Sequence, residues 1–146
     1  MRHHVLIDID HTLANSAWRD YLIDGPGGWD EYHAASESDL PLHDMVGLVN
    51  ALKAGGYHVT GITARPAKWR ALTMKWLMLH RCELDELLMR PDDAFHPAPE
   101  LKLRLALMRY PNLKEEIAFV LDDREDVIAT FKAQGVTALQ VHGRVR

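Results

Sequence analysis

Val5-Leu6-Ile7-Asp8-Ile9-Asp10-His11-Thr12-Leu13-Ala14-Asn15-Ser16 is the stretch on which the fold turns. An apolar run ends abruptly in two carboxylates, with a hydroxyl two residues beyond. That pattern reads as a buried strand delivering acids to an open edge. Side chains alternate along a strand, so Asp8 and Asp10 share a face, and two like charges brought together out of water need a cation or a proton between them. The pair is a metal site or an acid/base pair, unless the two acids serve only a turn or a helix cap. Ile117-Ala118-Phe119-Val120-Leu121-Asp122-Asp123 repeats the pattern. Ligands of open parallel sheets bind beyond the carboxyl ends of the strands, so these two acidic ends are in position to share one site.

The rest of the composition bounds the reading. A chain of 146 residues with 47% hydrophobic and 26% charged residues predicts one globular domain, 1–146, with a sizeable core. The single cysteine, Cys82, excludes an internal disulfide framework and a cysteine-rich zinc site. Neither a signal-peptide core nor a membrane-length apolar run is present, so the expectation is a cytoplasmic protein without a membrane partner. A net charge of −4 argues against a surface built to hold long duplex nucleic acid nonspecifically. His3 and His4 are adjacent and would point to opposite faces of a strand, as ordinary strand residues do.

Strands are expected at residues 4–9, 57–62, 86–89, 117–121 and 137–141. Helices are expected at 42–53, stopped by Gly55-Gly56, at 66–80 opened by Pro66, at 99–110 opened by Pro99, and at 125–134 stopped by Gly135. This alternation predicts an α/β fold, a parallel sheet of about five strands covered by helices on both faces. Residues 14–41 read as an irregular excursion forming a short lid or specificity insert. Its Trp18 and Trp29 are candidates for stacking on a base or for anchoring a core, and core packing is the expectation for Trp29.

Four elements occur in order: Asp8-x-Asp10-x-Thr12, Thr63 at the end of the second strand, Lys102 opening a helix, and Asp122-Asp123 after the fourth strand. Singly, each is what a helix cap, a surface lysine or a helix start would supply. Together and in this order they resemble the haloacid dehalogenase superfamily along essentially the whole chain. The resemblance implies a three-layer Rossmann-like fold with a minimal cap and an open site. It also implies a phosphomonoesterase in which Asp8 attacks phosphorus to form an aspartyl phosphate, while Asp10 protonates the leaving alcohol and then activates water. Magnesium would be held by Asp8, Asp10 through its backbone carbonyl, and the Asp122-Asp123 pair, with Lys102 adding positive charge and Thr63 donating to a phosphate oxygen. Asp126 is either a supporting acid or an exposed first-turn residue.

Finer features, namely Thr63-Ala64-Arg65, Arg19 eleven residues after Asp8, and Leu121-Asp122-Asp123-Arg124 with Gly135-Val136, look like the 3′-phosphatase domain of phage-type polynucleotide kinase/phosphatase. His11 stands where that motif usually has glycine. No Gly-x-x-x-x-Gly-Lys-Ser/Thr motif occurs, so no ATP-binding P-loop is expected, and the chain reads as a phosphatase without a kinase half. The substrate implied is a phosphorylated nucleotide or nucleic acid end, with Arg65, Arg19, Thr12 and Arg90 as expected substrate contacts. A 5′-nucleotidase acting on free deoxynucleoside monophosphates is the alternative. A receiver-like signalling module is disfavoured, because there the paired acids come first and the lysine follows the hydroxyl residue, whereas here the lysine precedes the pair.

Overall fold

Val5, Leu6 and Ile7 are fully buried, and alternation sends them to two different cores. Val5 and Ile7 pack with Val46, Val49 and Trp76, whereas Leu6 joins Ile62, Tyr110, Val127 and Phe131. A strand buried on both faces is continuously apolar for this reason, and each such aliphatic side chain contributes roughly 1.5–3 kcal/mol. The computed structural model describes residues 3–142. The first two and last four residues of the expected 1–146 domain lie outside the described residues.

In chain order the elements are β1 (His4–Ile7), β2 (Ala14–Asn15), a 3₁₀ helix (Ala17–Asp24), α1 (Gly28–Ala34), a second 3₁₀ turn (Ala35–Ser38), β3 (Leu40–Pro41), α2 (His43–Ala54), β4 (His58–Pro66), α3 (Arg70–Leu79), β5 (Glu86–Arg90), α4 (Ala98–Arg109), α5 (Leu113–Glu116), β6 (Ile117–Asp122), α6 (Glu125–Ala133) and β7 (Ala138–Gln140). The main sheet has the order β5-β4-β1-β6-β7. All its pairings are parallel, with Val5 opposite Val59 on one side and Phe119 on the other. Helices α2 and α3 supply one core, and α4, α5 and α6 the other. The chain leaves β1 toward β4 and returns on the far side to β6. The strand order therefore reverses between β1 and β6, and the crevice beyond their carboxyl ends is where such sheets bind ligands.

Two expectations are corrected. Pro66 ends β4 instead of opening a helix: Thr63-Ala64-Arg65 continues as extended chain, as the residue before a proline prefers, and α3 starts at Arg70. Residues 14–41 are not irregular either. Ala14 pairs with Pro41 and Asn15 with Leu40 in an antiparallel ribbon, so the insert leaves and rejoins the body at one neck and folds between as short helices. Gly56 at φ +93 and Gly135 at φ +78 follow α2 and α6, in the left-handed region that glycine enters without penalty.

Candidate active site

Asp8 leaves the carboxyl end of β1 with its amide donating to Leu121 O of β6 at 3.0 Å, which locks the two acidic strand ends side by side. Its carboxylate is buried and held from two sides. Thr12 Oγ1 donates to Oδ2 at 3.0 Å and Lys102 Nζ to Oδ1 at 2.8 Å. Lys102, near the start of α4, also donates to Asp122 Oδ2 at 2.6 Å. Burial opposes the charge on this ammonium, but Asp122 and Asp8 more than offset it and hold its pKa above the ordinary lysine value. His11 in the intervening turn has φ +64, a conformation favoured by the glycine usual at that position.

Asp8, Asp122 and Asp123 bring carboxylate oxygens within 4.8 Å of one another. Against three carboxylates Lys102 supplies one positive charge, so burial and the repulsion of Asp8 push both Asp122 and Asp123 up from the usual carboxylate range. Asp123 Oδ2 is buried with no hydrogen-bond partner. An excess of buried negative charge, an orphaned oxygen and an all-oxygen donor set fit a hard divalent cation.

Asp10 does not join that cluster with its carboxylate, which leaves only its backbone carbonyl, the group expected from the sequence, to face a cation there. Arg65 grips it in bidentate fashion, Nε to Oδ2 at 3.0 Å and Nη2 to Oδ1 at 2.7 Å, while Arg19 Nη2 and Ser16 Oγ also donate to Oδ1. Burial resists its charge, but Arg65 and then Arg19 hold the carboxyl far below its usual range. Bidentate pairing to a guanidinium fixes direction as well as charge, so Asp10 is aimed independently of Asp8.

The expected substrate contacts divide. Arg19 is fully buried against Asp39, the Tyr32 carbonyl and Asp10, and so supports Asp10 instead of reaching substrate. Thr12 is likewise fully buried and orients Asp8. Arg65 reaches the cleft wall, but its guanidinium is engaged by Asp10 and Thr73 Oγ1. Arg90 lines the cleft while stapling three carbonyls, Ala64, Ala94 and His96. Thr63 Oγ1 accepts from the Arg65 amide. Asp126 pairs with Arg124 at the start of α6 and stands apart from the acid cluster, the ordinary first-turn role.

Asp39 is the residue that sequence reasoning missed. Its side chain is completely buried and accepts from Ser16 Oγ, Trp18 Nε1 and two nitrogens of Arg19, balancing the second arginine beside Asp10. A lone Asp before Leu40-Pro41 carries no local signal of this. The cleft beside Asp8 has a volume of about 610 Å³. Trp29, expected in a core, instead lines it at 58% exposure, because α1 lies on the surface of the insert. His33 of the same helix lines it too. Burial, opposed by the charge of Asp10, takes the His33 imidazole down to about 4. Lys68, which follows β4, bonds Asp30 of α1 at 2.7 Å, joining the insert to the body at the rim.

A buried carboxylate held by a threonine and a lysine, beside paired acids at the reversal point of this sheet, fits a phosphatase of the haloacid dehalogenase superfamily. Residues 2–144 match the family described as the polynucleotide kinase PNKP phosphatase domain, and the chain belongs to it. Among solved structures, a chain of the Pnkp1/Rnl/Hen1 complex aligns with TM-score 0.77 and 22% identity, over 96% of this chain and 46% of that one. This chain thus spans under half the length of that relative. A predicted phosphatase from Clostridium acetobutylicum aligns with TM-score 0.71 and 14% identity over 98% of this chain and 86% of its own. A haloacid dehalogenase-like hydrolase from Streptococcus pneumoniae gives 0.68 and 14% over 95% and 84%. Comparison with curated proteins gives no match. Among the described residues no helix is long and apolar enough to cross a membrane.

Proposed function

We propose that this phosphatase is a magnesium-dependent phosphomonoesterase that works through an aspartyl phosphate on Asp8 and removes 3′-phosphates from nucleic acid ends or nucleotides. The observation that carries this reading is the fixing of Asp8 by Thr12 and Lys102 beside an overcharged acid cluster, with a separately aimed Asp10 two residues away. Membership of the PNKP phosphatase-domain family supports the substrate class, as does the likeness to the Pnkp1/Rnl/Hen1 RNA repair complex. Asp8, Asp122 and Asp123, with the Asp10 backbone carbonyl, would hold magnesium, which supplies positive charge to offset repulsion between Asp8 and a phosphate dianion.

The remaining work falls to side chains of this chain. An oxygen of Asp8 attacks phosphorus as the ester bond breaks, and the departing alkoxide takes a proton from Asp10. Water, giving a proton back to Asp10, then attacks the aspartyl phosphate, releasing inorganic phosphate and restoring Asp8. Bracketed by Arg19 and Arg65 alone, Asp10 is a carboxylate. The negative charge of an arriving phosphate raises its proton affinity, so Asp10 takes up a proton from solvent as substrate binds and returns it to solvent when inorganic phosphate leaves. Lys102 neutralises charge developing at Asp8 and the phosphoryl oxygens.

The test compares a 3′-phosphorylated oligonucleotide with a deoxynucleoside 5′-monophosphate on purified protein, with magnesium and in excess chelator. Preference for the 3′-phosphate, loss of turnover in chelator, and no turnover in Asp8→Asn are expected. Preference for the mononucleotide would favour a 5′-nucleotidase, and wild-type rates in Asp8→Asn would overturn the mechanism.

A further inference from the structure

Trp29 and Phe95 reach one cavity from different parts of the chain, Trp29 from α1 in the insert and Phe95 from the connection between β5 and α4. They are 58% and 88% exposed. Single exposed rings are ordinary, but these two line the cavity that contains Asp8. At about 610 Å³ that cavity falls in the range of sites for whole small molecules, about 300–1,000 Å³, and exceeds what a phosphate group needs.

A third residue backs the wall. His33, 6% exposed, lies under Trp29 with ring centroids 5.8 Å apart and planes inclined by 25°. Its Nδ1 is buried and has no hydrogen-bond partner. That nitrogen is closed off from the cavity, so the His33 ring serves as the floor on which Trp29 rests. No hydrogen bond links the side chains of Trp29 or Phe95 to Asp8, Asp10 or Lys102, so the two exposed rings are available for a part of the substrate away from the phosphorus.

We propose that this wall is a nucleobase subsite. The base of the nucleotide whose phosphate meets Asp8 stacks on Trp29 and Phe95, and His33 supports Trp29 from behind. The assignment rests on the phosphomonoesterase reading above and narrows it to esters that carry a planar heterocycle. Stacking tolerates every base, because each has a π-face. The enzyme therefore distinguishes base-bearing phosphates from abasic ones without reading sequence.

The measurement is the ratio of kcat/KM for a nucleoside 3′-monophosphate to that for glycerol 2-phosphate. Trp29→Ala and Phe95→Ala should each lower this ratio, by roughly 5- to 150-fold where the ring stacks fully, and Trp29→Phe should keep most of it. An unchanged ratio in both alanine variants overturns the subsite. Both rings are largely exposed, so neither variant threatens the fold.

A second readout does not depend on turnover. In Asp8→Asn, an unphosphorylated nucleoside should saturably quench tryptophan fluorescence, and the added change Trp29→Phe should abolish the quench. No saturable quench, or one that persists without Trp29, also overturns the subsite. The two readings fail separately: quenching by the nucleoside with no hydrolysis of any nucleotide supports the subsite and refutes the proposed activity. Nucleotide hydrolysis with an unaltered ratio does the reverse. A phosphotyrosine peptide preferred over nucleotides would assign the aromatic wall to a different ring and overturn it as well.

Discussion

Asp10 stands two residues from Asp8, the proposed nucleophile, yet its carboxylate answers to other neighbours. Arg65 and Arg19 fix it, and Asp39 fixes Arg19, so two acids and two guanidiniums alternate in a nearly closed, charge-balanced chain. Breaking a buried pair on one side strands the other charge, at about 3–5 kcal/mol. Asp39→Asn should therefore lower unfolding free energy by about that amount in urea titrations. In the surviving folded protein it should reduce kcat more than it alters KM, because Asp39 reaches Asp10 through Arg19 and Ser16 and does not line the cleft. A variant as stable and as fast as wild type would dissolve the link. Part of this site could be read from the chain. Asp8, Lys102, Asp122 and Asp123 sit at strand ends or a helix start, where alternation and order indicate them. Arg19 carried the correct spacing but not its partner, since contact with Asp39 twenty residues away arises only when the insert folds back. Asp10 was legible as an acid near the site, whereas its turn away from the cluster depends on two arginines brought in by separate segments.

The five strands of the main sheet and helices α2, α4 and α6 were legible because each is marked off in the sequence, β1 and β6 by the acids that end their apolar runs and the others by Gly or Pro. The insert was not. Its helical pieces, Ala17–Asp24 and Gly28–Ala34, are too short for a periodic signal, and Gly25-Pro26-Gly27-Gly28 between them reads as loop. The connection of residues 91–97 shows how an irregular element is made rigid. One side chain, Arg90, bonds carbonyls on both the β4 end and the connection itself, so the segment presenting Phe95 and leading into α4 is tied down. Arg90→Met keeps the aliphatic stem but removes these donors. Amide exchange across residues 91–97 should accelerate in that variant, with kcat/KM falling more for nucleotides than for glycerol 2-phosphate, while protection in β1 and β6 stays as in wild type. Unchanged exchange in the loop would show that its backbone holds itself.

Across the whole molecule, two electrostatic loads set stability in opposite directions. His33 titrates near 6.5 when unfolded and about 4 when folded, among Asp10, Arg65, Arg19 and Asp30. Between those values the unfolded chain binds the proton and the native one does not, so His33 lowers stability as pH falls from 6.5 toward 4 and has no effect well above 6.5. The full penalty is roughly 3 kcal/mol from the size of the shift. His33→Gln should show a correspondingly shallower loss over that window in denaturant melts, and parallel curves for the two proteins would refute the assignment. The acid cluster acts oppositely. Its raised pKa values favour the native state at low pH and penalise it once both Asp122 and Asp123 are ionised. Above neutrality, magnesium should raise Tm, and go on raising it with the logarithm of its concentration once the site is filled. Asp123→Asn should raise the metal-free Tm and remove most of that response, and a full magnesium response in the variant would place the ion elsewhere.

The neck at Ala14–Asn15 and Leu40–Pro41 makes residues 16–39 look like a detachable module, which a protein engineer would trim or exchange to retune substrate choice. Yet Ser16 stands at its entrance and Asp39 at its exit, and both are wired to the machinery behind Asp10. A transplanted lid that fits the neck but omits a carboxylate at its final position would deliver a well-folded graft and an unbalanced Arg19. In this scaffold the insert is inherited together with part of the support of Asp10, and any successful exchange has to carry both.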